Sequence, residues 1–198
     1  MPDPPSVGLF TRFVLENPYP LGVGLAAFAL VLVVAGFREG RMDRVRLAGV
    51  PLLLAVAVLA TGTLVVTSAE RGKQVTRALV DALVADDAVG AMRLFADDAL
   101  LHLGATTNVG YDIDFIRDGV SRFVDRFDVV SNRVTMLDGY RETADRATIH
   151  LGAWTDAGGF GPAPSQWVVV VERQTDDTWK VTDLTLISVA GRAPPTSW

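Results

Sequence analysis

Two uncharged apolar runs near the start of the chain limit its possible folds more than any other feature. Between Glu16 and Arg38 lie 21 residues without a formal charge, centred on LGVGLAAFALVLVVAGF. Between Arg46 and Glu70 lie 23 more, opening LAGVPLLLAVAVLATGTLVV. A helix rises about 1.5 Å per residue, so roughly 20 residues cross a hydrocarbon core of about 30 Å. Both runs are long enough, and both are apolar on every face, unlike the one-sided stripe of a soluble helix. The expectation is a membrane anchor over residues 1–69, a hairpin of two transmembrane helices at about 19–37 and 47–68. Pro51 falls early in the second run, where a missing N–H costs little. A cleaved signal peptide fits the first run poorly. Only Arg12 supplies a cation before it, and a second apolar run follows at once.

Charge suggests an orientation. The connecting segment REGRMDRVR carries Arg38, Arg41, Arg44 and Arg46 within nine residues, which favours the cytoplasm. Arg12, Arg71, Lys73 and Arg77 make an equal count on the other side. The loop's charges are denser and abut both helices, so they take precedence. The chain is then expected to be a two-span protein of the plasma (inner) membrane, with the lipid bilayer as partner and the C-terminal domain extracytoplasmic.

Composition excludes several classes. Hydrophobic residues make up 49% of the chain and charged residues 21%, for a mean hydropathy of +0.30. Residues 1–69 hold five Lys/Arg against four Asp/Glu, and residues 70–198 hold thirteen against nineteen. That acidic balance, with a pI near 5.0, argues against nucleic acid as a partner. Cysteine is absent, which removes disulfides, thiolate metal sites and cysteine nucleophiles. Gly22-x-Gly24-x-x-Ala27 matches a dinucleotide fingerprint with Asp43 about twenty residues on. That motif needs a preceding strand, whereas Asn-Pro-Tyr-Pro precedes it here. Close helix approach in a membrane explains the small residues better.

Residues 70–198 read as an α+β domain. Ser68 to Lys73 forms a polar junction, after which Val75, Leu79 and Leu83 recur at helical spacing, with Ala78 and Ala82 filling the stripe. Asp86-Asp87 supplies N-cap chemistry for a short second helix with Val89, Met92 and Phe95 inward. Asp97-Asp98 ends it, and Ala99–Leu103 reads as a short strand. After GATTNVG, a third helix carries the stripe Ile113, Ile116, Val120, Phe123 and Phe127, with its charges on the other face. From Val129 the period changes to two. Strands are expected at about 129–137, 147–155, 166–173 and 179–189, with turns at Asp138-Gly139 and Thr175-Asp176-Asp177. The segment AGGFGPAPS, residues 157–165, reads as a long loop. Three helices followed by an antiparallel meander define an α+β fold.

The run LVDALVADDAVGAMRLFADDALLH, a helix, and strands ending in WKVTDLTLI resemble the nuclear-transport-factor-2-like superfamily over about residues 74–189. That group includes ketosteroid isomerases, polyketide-cyclase-like proteins and many bacterial domains. The resemblance implies a cystatin-like cone, three helices wrapped by a curved four- to five-stranded antiparallel sheet around an apolar pocket. Aligned through Phe95-Ala96-Asp97-Asp98-Ala99, the isomerase base falls on Leu103, its tyrosine donor on Leu79, and its protonated acid near Gln166 or Trp167. None of these can move a proton. Relatives that use a His–Asp pair point to His102 with Asp112 or Asp114. His150 alternates with Ile149 and Leu151, so it points away from them.

No set of convergent ligands suggests a metal, and no cofactor is implied. Leu79, Leu83, Phe95, Leu103, Phe123, Trp154 and Trp167 are the expected lining of an apolar ligand pocket, with an indole N–H as polar handle. The first functional expectation is therefore a membrane-anchored, non-catalytic binding or scaffolding domain for an apolar small ligand or a protein partner. The alternatives are a polyketide-cyclase-type lyase or isomerase using His102, and a structural membrane protein that self-associates as a homodimer through its sheet.

Overall fold

The computed structural model describes residues 19–64, 66–159 and 161–195. Arg12, weighed in the signal-peptide argument, lies outside them. The chain divides into two compact units between Thr67 and Ser68.

The first unit is helical. α1 runs Tyr19–Arg38, α2 Met42–Leu47 and α3 Gly49–Leu64. α1 ends in a Schellman turn: Gly40 takes φ +65°, its N–H bonds Phe37 O, and Arg41 N–H bonds Gly36 O at 2.9 Å. Gly22 lets α3 approach, since a Cβ there would stand 2.8 Å from Leu59 Cδ2. α1, at 20 residues, is the one described helix long and apolar enough to cross a membrane. The second expected span is shorter than the sequence suggested. α3 has 16 residues, about 24 Å, because the chain between Arg46 and Glu70 is shared among three helices. Ser68–Lys73, expected as a junction, opens α4 (Ser68–Val84). Ser68 Oγ donates to Thr143 O at 2.8 Å, which ties this turn into the second unit.

The second unit continues with α5 (Ala88–Arg93), β1 (Phe95–Leu103), β2 (Gly110–Tyr111) and α6 (Ile113–Arg126). Then come β3 (Val129–Arg141), β4 (Arg146–Ala157), β5 (Gly161–Arg173) and β6 (Trp179–Val189). Asp87 caps α5 through Gly90 N–H at 2.7 Å, and Asp112 caps α6 through Phe115 N–H at 3.0 Å. The strands form one mixed six-stranded sheet, ordered β2-β1-β6-β5-β4-β3, with β1 parallel to β6. The all-antiparallel expectation is thereby corrected. Asp97 and Asp98 do not terminate α5; they occupy an irregularity in β1 between Phe95 and Leu100. Val89 is exposed, contrary to its expected inward place.

Two expected breaks in the sheet are strand instead. Gly139 lies inside β3, paired with Ile149, because α4 crosses there: an added Cβ would meet Ala69 O at 2.9 Å. The glycine serves close helix–sheet contact, not a turn. Pro162 and Pro164 pair with Asp156 and Trp154 within β5, so most of the supposed loop is hairpin. Pro164 O accepts from Ala190 N at 2.8 Å, so the prolines' missing N–H groups face away from β4 and break no bond of that ladder.

The core joins α4, α5, α6 and one sheet face, with Leu79, Phe95, Ile149, Val169, Val171 and Val181 buried together. α4 turns Ala69, Gly72, Thr76 and Leu79 inward, with Val75, Ala82 and Leu83 packed against the core; of the expected stripe Ala78 is exposed instead. Phe123 is half-buried where full burial was expected; Ile116 is the buried residue of α6.

Candidate functional site

Strand alternation sorts the sheet into two chemically distinct faces. On the helix side, register aligns Leu103, Leu186, Trp167, Leu151 and Leu137 from β1 to β3. Toward the strand ends the same face becomes mildly polar. Trp167 Nε1–H donates to Ser165 Oγ at 3.0 Å, and Asn132 Nδ2–H donates to Thr155 Oγ1 at 2.7 Å. This face therefore combines an apolar row with hydroxyls, an amide and an indole N–H at its ends. It offers no group that titrates near neutrality.

The opposite face carries the ionisable side chains. His102 lies in register with Thr185, and His150 with Asp138 and Val168. His102 is buried, with Nδ1 2.8 Å from Asn108 O and Nε2 3.4 Å from Asp183 Oδ1. The Asn108 carbonyl can only accept, so Nδ1–H donates to it, and Nε2 can bond the Asp183 carboxylate only when it carries a proton as well. Asn108 in turn donates from Nδ2 to Leu103 O at 2.5 Å, which fastens the 104–109 loop to the strand. A Cβ on Gly110 would stand 2.9 Å from His102 Cε1, so glycine permits this packing.

His150 stacks edge-on against Tyr140 with ring centroids 4.9 Å apart. Burial pushes its pKa below the usual histidine value, opposed by the Asp138 carboxylate. Burial, reinforced by Asp138, raises Tyr140. Farther along, Arg146 bridges Glu142 at 2.7 Å and also pairs with Glu172, while Thr148 donates to Glu142.

The residues singled out from sequence therefore separate. Leu79 and Phe95 are core, and Leu83 and Trp167 pack against it. Leu103 is buried on the helix-side face. Phe123 tilts against Phe127, centroids 5.4 Å apart. Trp154 falls on the other face from Trp167, 45% exposed between Arg133 and Pro164. Asp112 caps α6 and Asp114 pairs with Arg117; both are exposed, and the carboxylate beside His102 is Asp183 instead. Sequence reasoning missed Asp183. The available signal was a carboxylate in the middle of the strand WKVTDLTLI, between Val181 and Leu184. Its partner depends on the parallel β1–β6 pairing, which no local pattern announces. Among the described residues no three His, Asp or Glu side chains gather as metal ligands.

No protein-family model matches the chain, and no curated protein matches it. Solved structures do. A candidate ketosteroid isomerase from Shewanella frigidimarina NCIMB 400 aligns with TM-score 0.50 at 12% identity, over 59% of this chain and 94% of its own. An NTF2-like protein of unknown function from Pseudomonas putida KT2440 gives 0.48 at 16%, over 57% and 80%. A cystatin-like protein from Nostoc punctiforme PCC 73102 gives 0.42 at 14%, over 57% and 84%. At such identities the likeness concerns architecture alone. The second unit shares the α+β fold of the Shewanella structure, helices packed on a mixed six-stranded sheet.

Proposed function

We propose that the chain is a membrane-anchored binding protein whose α+β unit takes an apolar small molecule, or an apolar protein segment, against the helix-side face of its sheet. α1 and α3 serve as a two-span anchor, and the binding unit is extracytoplasmic. One observation carries the reading. The row Leu103–Leu186–Trp167–Leu151–Leu137 is continuous and apolar, and both histidines stand on the reverse side. An acid–base reaction needs a proton-moving group within reach of the bound substrate. That row supplies contact area and an indole dipole, which suits binding and orientation.

The competing enzymatic reading has its own observation, the His102–Asp183 pair at 3.4 Å with its tautomer set by Asn108. A carboxylate-paired histidine is a common general base. One screen separates the two readings. Residues 68–198 are titrated with steroid-like and polyketide-like enolisable ketones, following both bound ligand and turnover. Saturable binding without turnover, weakened by Trp167→Ala and indifferent to His102→Gln, is the expected result. Turnover abolished by His102→Gln would replace binding with catalysis. Cleavage of the C-terminal unit by protease added to intact spheroplasts tests the orientation; full protection until lysis would reverse it.

A further inference from the structure

We infer that the α1–α2 turn is a binding site for an anionic phospholipid, with its phosphate on the arginines and an acyl chain along α1. This inference rests on the membrane-anchor reading above and adds a lipid class to it. The turn is rigid. The Schellman closure at Gly40 and the seating of Val45 Cγ2 on Gly36, 2.8 Å from where a Cβ would stand, fix the course of the chain. Arg38, Arg41 and Arg46 are exposed on it, and among the described residues none has a carboxylate partner. Of the two nearby acids, Glu39 is already engaged by Arg44 at 2.6 Å. Three unpaired guanidiniums against one uncommitted carboxylate, Asp43, leave the turn positive. That unpaired positive charge attracts the phosphate of an anionic headgroup.

The second observation is apolar. Leu30, Val31, Val34 and Ala35 line a shallow groove on α1 that ends at Arg38 and Glu39. Leu30 and Val31 are both more than three-fifths exposed. An amphiphile satisfies both features at once, with a chain in the groove and a phosphate at its charged end. A zwitterionic lipid brings its own cation to the same place and gains less from the arginines.

The test uses the full chain purified in neutral detergent and offered equimolar phosphatidylglycerol and phosphatidylcholine, with retained lipid counted by native mass spectrometry. The expected result is a roughly tenfold preference for phosphatidylglycerol, falling as salt rises. R38Q/R41Q/R46Q should abolish the preference and R38K/R41K/R46K should largely keep it, which separates lost charge from lost fold. Equal retention of both lipids by a detergent-requiring chain, or a preference that survives the glutamine variant, overturns the lipid site alone. A chain that stays monodisperse in buffer without detergent overturns the anchor reading, and the lipid site with it.

Discussion

The two faces of the sheet share a backbone and differ in almost everything else. In β4, Ala147, Ile149, Leu151 and Ala153 point toward the helices, while Thr148 and His150 point away. In β6 the helix side receives Val181 and Leu184, and the reverse receives Asp183 and Thr185. One face is held by close packing, where a polar group without a partner is costly. The other is held by paired side chains, among them His102–Asp183 and Arg146 with Glu142 and Glu172. Because the strand period is two, a single-residue shift of register would exchange these environments. The contrast therefore specifies the sheet as well as the site.

The largest expected effect is Leu103→Asp, which places a carboxylate on the buried apolar face. An unpaired charge there costs several kcal/mol or stays protonated. Leu100→Asn, a neutral polar change on the more exposed reverse side of the same strand, should lower the melting temperature far less. Equal effects would mean that the faces are misassigned.

Next comes Ile149→Ala. This side chain is fully buried against Gly72 and Gly139, so its truncation should cost about 2–5 kcal/mol by denaturant titration. Thr148→Ala beside it loses one hydrogen bond to Glu142 and should cost about 1 kcal/mol.

Phe123→Ala sharpens the boundary between core and surface. Its half-buried ring on Phe127 should cost about 1.5–2.5 kcal/mol, below the 3–5 kcal/mol of a fully buried phenylalanine. Arg122→Ala, on the exposed side of α6, should stay within about 0.5 kcal/mol.

The smallest effect is one of pH. Burial depresses His150 in the folded state, so the unfolded chain takes up the proton first. That contribution to stability is full above the unfolded value, about 6.5, and is lost as pH falls through it. His150→Gln should flatten the acid side of the stability curve between about pH 7.5 and 5 relative to the native chain. An unchanged slope would show that the reverse face does not desolvate this ring.

Local chemistry made part of this fold legible. Capping by Asp87, the helical stripe of α6 and the alternation in β4 and β6 are all near-neighbour patterns, and each stands where its pattern indicated. Long-range facts were not legible. Gly139 reads as a turn residue until α4 is placed across it. The proline-rich hairpin reads as a loop until Pro164 is seen bonding Ala190. For the site, alternation already turned His150 away from Ile149 and Leu151. The pairing of His102 with Asp183 had to wait for two strands 81 residues apart to meet. The start of α4 at Ser68 is fastened likewise by a distant partner, Thr143.

The most direct test of the central claim is a ligand titration of residues 68–198 carrying either Trp167→Ala or His102→Gln, with product formation followed in the same samples. An apolar ligand should bind the native unit, affinity should fall about tenfold or more with Trp167→Ala, and His102→Gln should change neither affinity nor the absence of product. Product formation that disappears with His102→Gln would contradict the claim, and would move the working site to the other face of the sheet.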